Sequence, residues 1–229
     1  MIDYPLLPTI KIDNAFSQAE LDYLKSTILE DPNSVHEDYI HDWEGPYHNK
    51  KMSSRCFFNF DELTPVSELI KSRLPKEVSE NIIPFRTFIL TSYLPYEIHC
   101  DSGWVDYSVD ELPYYIIMIS MSQVKSKTII LNQQGHYLHF VDYKKDNPKP
   151  LPTNERIPKE MFNEQFGHCR SEERNYISIK DTFEWNLGSV IAFDLRLFHL
   201  SNNFVDLGVT EKQGITLFTK TKKKNVKIT

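Results

Sequence analysis

The sequence lacks the features that would place it in a membrane or in an oxidising compartment. Across 229 residues no apolar run approaches the roughly 20 residues needed to cross a bilayer. The start, Met1-Ile2-Asp3-Tyr4-Pro5, has no basic segment followed by an apolar one, so no secretory signal is expected. Only three cysteines occur, Cys56, Cys100 and Cys169, widely spaced and in no C-x-x-C pair, which fits a reducing cytoplasm. There is no internal repeat and no linker-like stretch, so one domain over residues 1–229 is the expectation. Hydrophobic residues at 40% and charged residues at 25% then suit a globular protein with a sizeable core.

Positive charge is also scarce outside the C-terminus. The net charge is −6, yet Lys220, Lys222, Lys223, Lys224 and Lys227 crowd the last ten residues, so the body is more acidic than that figure. Duplex binding needs clustered cations to displace phosphate counterions, and nucleic acid is therefore a disfavoured partner. The basic tail, 221–229, reads as a solvated terminus. Nothing in the sequence speaks to oligomeric state.

Two helices are legible. Ser17-Gln18-Ala19-Glu20 is a capping box followed by Leu21, Leu24 and Ile28 at helical spacing, and a second helix starts at Thr64-Pro65 and ends before Pro75. Residues 1–84 thus read as a helical and irregular support, with a strand near Cys56-Phe57-Phe58 as one option. After Pro84 the texture changes to β-rich runs at 85–98, 114–121, 128–131, 137–141, 176–179, 189–193 and 214–218. Short strands without helical periodicity between them predict a mainly β (α+β) sandwich or rolled barrel, a jelly roll, over 85–220. Residues 142–174, polar and carrying four prolines, read as an insertion that could act as a lid.

His99-Cys100-Asp101 carries the chemistry. On a strand, side chains repeat every two residues, so His99 and Asp101 share a face and can grip one ion together, while Cys100 points the other way into packing. A third ligand, His199, follows the buried run that opens at Gly188. Two imidazoles and one carboxylate leave three coordination positions open, the arrangement of non-haem Fe(II) oxygenases. His36-Glu37-Asp38 repeats the H-x-D spacing, but it follows the first helix, outside the β-rich block, and has no fitting partner histidine.

Taken with the strand Lys212-Gln213-Gly214-Ile215-Thr216-Leu217-Phe218, these residues resemble the Fe(II)/2-oxoglutarate-dependent oxygenase superfamily, in particular its prolyl-hydroxylase-like branch. The resemblance spans roughly 85–220 and implies a double-stranded β-helix. It also implies an Fe(II) site at His99, Asp101 and His199, and O2-dependent oxidation coupled to loss of CO2 from 2-oxoglutarate, with succinate as coproduct. The basic residue that pairs with the far carboxylate of 2-oxoglutarate would be Lys212, with Thr216 on the same strand face and Tyr93 as a further cofactor contact. The interval from His199 to Lys212 is longer than in the family and the anchor is Lys instead of Arg, which leaves Arg196 as a rival. Pro95 could break the parity that links Tyr93 to His99. Arg55, Trp104 and Tyr107 could line a substrate entrance, although structural roles are the plainer reading of each. The implied substrate is an amino-acid or peptidyl side chain or a small metabolite. The alternatives are a non-catalytic jelly-roll ligand-binding or assembly module, and a cupin-like metalloenzyme that uses no 2-oxoglutarate.

Overall fold

Helix α1 (Gln18–Glu30) begins where the capping box puts it. Ser17 Oγ accepts from the Glu20 backbone N–H, and the Glu20 carboxylate accepts from the Ser17 N–H at 2.8 Å, so two orphan donors of the helix start are satisfied. Helix α2 (Thr64–Ser72) carries Pro65 in its first turn, and Pro75 precedes the short α3 (Lys76–Ser79). The computed structural model describes residues 5–41, 47–104, 108, 110–135 and 148–223. Among them, no helix is long and apolar enough to cross a membrane.

Ten strands form two antiparallel sheets: β1 (Ile10–Ile12), β2 (Val35–Ile40), β3 (Lys51–Phe57), β4 (Ile83–Ser92), β5 (Glu111–Ser120), β6 (Lys127–Gln134), β7 (Ile179–Glu184), β8 (Val190–Asp194), β9 (Leu197–Ser201) and β10 (Lys212–Lys222). The large sheet runs β1-β8-β5-β10-β4-β3-β2 and the small one β7-β6-β9. Along β10 the side chains divide by parity. Ile215 and Leu217 join Leu21, Leu24, Ile28, Val66 and Ile70 of α1 and α2 in one core on the outer face. Phe218 joins Phe88, Ile116, Ile130, Trp185 and Phe193 between the sheets. A period of two on the central strand thus builds two cores and directs Lys212, Thr216 and Phe218 to the inside.

Several expectations are corrected. Residues 1–84 are not only helical and irregular: β1, β2 and β3 extend the large sheet at both edges. The decoy His36-Glu37-Asp38 lies on β2, where Asp38 is engaged by Lys51 and Ser54. The long run expected to Ile98 stops at Ser92, because the Tyr93 and Leu94 N–H groups turn to the Met52 carbonyl and Pro95 has none to donate. The segment expected at 176–179 becomes β7 three residues later, and 137–141 lies outside the described residues. The described part of the insertion, from 148, is not placed as a lid. Its helix α4 (Lys159–Gln165) and flanking turns bring Ile157, Phe162, Phe166 and Ile177 against Ile129, Leu131, Phe198 and Leu200, covering the outer face of the small sheet. In the tail, Lys222 still belongs to β10 and pairs with Asp110; residues 224–229 lie outside the description.

Candidate metal centre and cofactor cavity

His99 and His199 meet through the backbone. Each N–H donates to the other's carbonyl, at 3.0 and 2.9 Å, in an isolated antiparallel bridge that lengthens the small sheet beside β9. A directly opposed antiparallel pair puts both side chains on the same face, and the two imidazole centroids lie 4.3 Å apart. Asp101 joins them differently from the strand argument. It is the first residue of a 3-10 turn, Asp101–Trp104, that carries its carboxylate back over the bridge. Oδ2 of Asp101 is 4.0 Å from His99 Nε2 and 3.2 Å from His199 Nε2, and the three ligand atoms all fall within 4.8 Å of one another. Cys100 points away: its Sγ is wholly buried, faces the Gly135 and Arg196 carbonyls, and burial pushes its pKa up to about 12.

The hydrogen bonds around this cluster choose the tautomers. Nδ1–H of His99 donates to the Glu97 carbonyl at 2.7 Å, and Nδ1–H of His199 to that of Leu197 at 3.2 Å. Both Nε2 lone pairs are left for the centre of the cluster. His199 Nε2 is buried with no hydrogen-bond partner among the described residues, although Asp101 Oδ2 is close. The two facts agree once both atoms are recognised as acceptors, since facing lone pairs attract only through a cation between them. Burial alone would raise the Asp101 carboxyl; with the rings protonated, a hydrogen bond from His199 and the positive charges of His99, His199 and Arg55 outweigh it and the net shift is downward.

The cluster lies in a cavity of about 70 Å³, partly open to solvent, between the two sheets. Lys212 lines it and is only 3% exposed. Its Nζ donates to Ser201 Oγ at 2.8 Å and sits over the rings of Trp185 and Phe204, at 4.6 and 5.2 Å. Among the described residues no carboxylate pairs with it, and burial lowers its pKa to about 7. Thr216 lines the same cavity. So does Ser92, which is paired directly with Lys212 across β4 and β10 and whose Oγ is buried without a hydrogen-bond partner among the described residues.

Tyr93 does not reach this space. Its hydroxyl is 3.3 Å from Ser54 Oγ and its ring lies under the Lys51 ammonium, as alternation requires of the residue after the cavity-lining Ser92. Tyr96 lines the cavity in its stead, with its ring 5.6 Å from that of His99. Arg196 is no rival anchor. It forms a two-pronged pair with Asp194, at 2.9 and 2.7 Å, and reaches the Pro5 carbonyl, fastening the N-terminal segment to the sheet. Arg55, read from sequence as structural, does line the cavity. Ser92 and Arg55 were legible only as members of strands; their facing followed from pairings that no local pattern specifies.

No family model matches the sequence, and neither does any curated protein. Solved structures do match in fold. One is the non-haem α-ketoglutarate-dependent epimerase SnoN from nogalamycin biosynthesis, at TM-score 0.52 and 8% identity over 93% of this chain and 77% of that one. Another is the non-haem α-ketoglutarate-dependent carbocyclase SnoK from the same biosynthesis, at TM-score 0.51 and 10% identity over 93% of this chain and 79% of that one. The bridge at His99, the two sheets and this likeness together establish that the chain has the double-stranded β-helix fold of such oxygenases.

Proposed function

We propose that the protein is an Fe(II)- and 2-oxoglutarate-dependent dioxygenase that hydroxylates an amino-acid or peptidyl side chain or a small metabolite. The observation that carries this reading is the pairing, in one cavity, of a His-Asp-His cluster with a buried lysine that has no counter-ion among the described residues. The donor set fits Fe(II): one carboxylate and two imidazoles with outward Nε2 lone pairs, one of them buried and unpartnered. His99, Asp101 and His199 would hold the metal. When bound, Fe(II) with 2-oxoglutarate and O2 supplies oxidation of a C–H bond with release of succinate and CO2.

The chain's own part is placement. Lys212 offers a point charge to the far carboxylate of 2-oxoglutarate, and the hydroxyls of Ser92 and Thr216 offer the directional contacts that an arginine fork would otherwise give. Trp185 and Phe88 wall the cavity and limit water, which strengthens that ion pair. The Glu97 and Leu197 carbonyls keep the imidazole protons on Nδ1. Anaerobic Fe(II) titration with a succinate assay tests the reading, comparing wild type with Asp101→Ala. One iron per chain and 2-oxoglutarate-dependent succinate formation, both lost in the variant, are expected; a wild-type protein that takes up no iron would leave a non-catalytic module as the better description.

A further inference from the structure

Arg55 is a second cation in the cavity, and the dioxygenase reading leaves it without a task. It projects from β3, opposite Leu90 of β4, which in turn pairs with Gly214 of β10. It therefore stands two strand spacings from β10, about 10 Å across the sheet from the strand that carries Lys212. One Nη2–H donates to the Tyr96 hydroxyl at 3.1 Å, and the guanidinium lies over the rings of Tyr39 and Phe88, at 5.1 and 5.8 Å. Its Nε is buried and has no hydrogen-bond partner among the described residues. Glu37, its cross-strand neighbour on β2, is exposed and forms no ion pair with it among the described residues. The Tyr96 hydroxyl that receives it is itself held by Ser53 Oγ at 2.5 Å, so the fork is braced.

Charge balance says what the fork is for. With 2-oxoglutarate bound, a divalent metal, the Asp101 carboxylate, the Lys212 ammonium and the Arg55 guanidinium sum to three positive charges, of which the dianion cancels two. A half-buried charge without a partner is costly, and a monoanion at Arg55 removes the imbalance. The flanking aromatic rings add an apolar wall beside the guanidinium. We propose that Arg55, braced by Tyr96, binds a carboxylate of the primary substrate, and that the oxidised C–H bond belongs to a molecule carrying that carboxylate on an apolar or aromatic body. This inference rests on the dioxygenase reading, because the charge count includes metal and 2-oxoglutarate.

The test follows the Nε–H resonance of Arg55 by NMR in 15N-labelled protein loaded with Zn(II), a diamagnetic stand-in for Fe(II), and 2-oxoglutarate. Benzoate and benzamide are the probes, matched in shape and differing in charge. Benzoate should move the resonance and bind at least about tenfold more tightly than benzamide, as expected for a charge-assisted fork. Calorimetry should show the preference lost in Arg55→Gln and partly kept in Arg55→Lys. Equal binding of the two probes, or a preference that survives Arg55→Gln, overturns the proposal. So does displacement of 2-oxoglutarate by benzoate, which would make Arg55 a cosubstrate contact. The wild-type titration needs no variant to fold. Binding of 2-oxoglutarate is recorded before benzoate is added: its absence would fell the dioxygenase reading and the charge count with it, whereas intact 2-oxoglutarate binding without a benzoate preference fells this inference alone.

Discussion

Replacing Lys212 with methionine should make the protein more stable and useless for 2-oxoglutarate. Burial lowers the Lys212 pKa from 10.5 to about 7, which at about 1.4 kcal/mol per unit is a penalty of about 5 kcal/mol on the charged form. Below pH 7 both folded and unfolded chains carry the proton and the penalty is fully present. Between pH 7 and 10.5 the unfolded chain holds the proton that the folded one has released, so stability rises with pH and the penalty is gone above that range. Methionine removes the penalty but also the contacts with Trp185 and Phe204, about 2 kcal/mol, and the Ser201 hydrogen bond, about 1 kcal/mol. The balance at pH 6 is a gain of about 2 kcal/mol, or about 4–8 °C in Tm for a chain of this size. That advantage should shrink as the pH approaches 10. Affinity for 2-oxoglutarate should fall by about 2–5 kcal/mol, at least about 30-fold, because the incoming carboxylate would be left buried without its cation. Thermal melts at pH 6 and 10 with calorimetric titration of 2-oxoglutarate decide the matter. A Lys212→Met protein that melts below wild type at pH 6, or binds 2-oxoglutarate within about threefold of it, would refute the reasoning.

The same lysine sets a pH dependence. With iron saturating, the Kd for 2-oxoglutarate should weaken by up to about tenfold between pH 7 and 8 as the free cavity loses its proton, and Lys212→Arg should flatten that slope. Arg196→Ala should cost about 3–5 kcal/mol in urea unfolding, since it strands Asp194 in the core, while the KM for 2-oxoglutarate of the folded protein stays unchanged. A raised KM there would return Arg196 to the cofactor site. Gly214→Ala should destabilise by about 1–3 kcal/mol and weaken 2-oxoglutarate binding, because the new Cβ would fall 2.7 Å from the Trp185 ring that supports Lys212; near-wild-type melting and binding would contradict the close packing.

The parity of Lys212, Gly214, Thr216 and Phe218 was readable in the chain because a strand's alternation is a local property; the His-x-Asp motif and the distant His199 were readable as donor types. Helix α1 was readable for a similar reason: its cap and its apolar spacing lie within a dozen residues. What the sequence by itself determined was therefore the set of side chains offered to each face of each strand, and with it the chemistry available.

Tertiary structure alone decided which of those faces meet. The bridge between His99 and His199 joins segments a hundred residues apart, and Asp101 reaches it from a turn that no periodicity announces. The tyrosine at the cluster is Tyr96 and not Tyr93, because two N–H groups preferred the Met52 carbonyl to the β4 ladder. Arg196 went to Asp194, two residues before it, and Arg55, with no acidic residue that near in sequence, to the cavity. Register between distant strands is fixed by the summed packing of both sheets, and that sum is a property of the whole chain and of no segment of it.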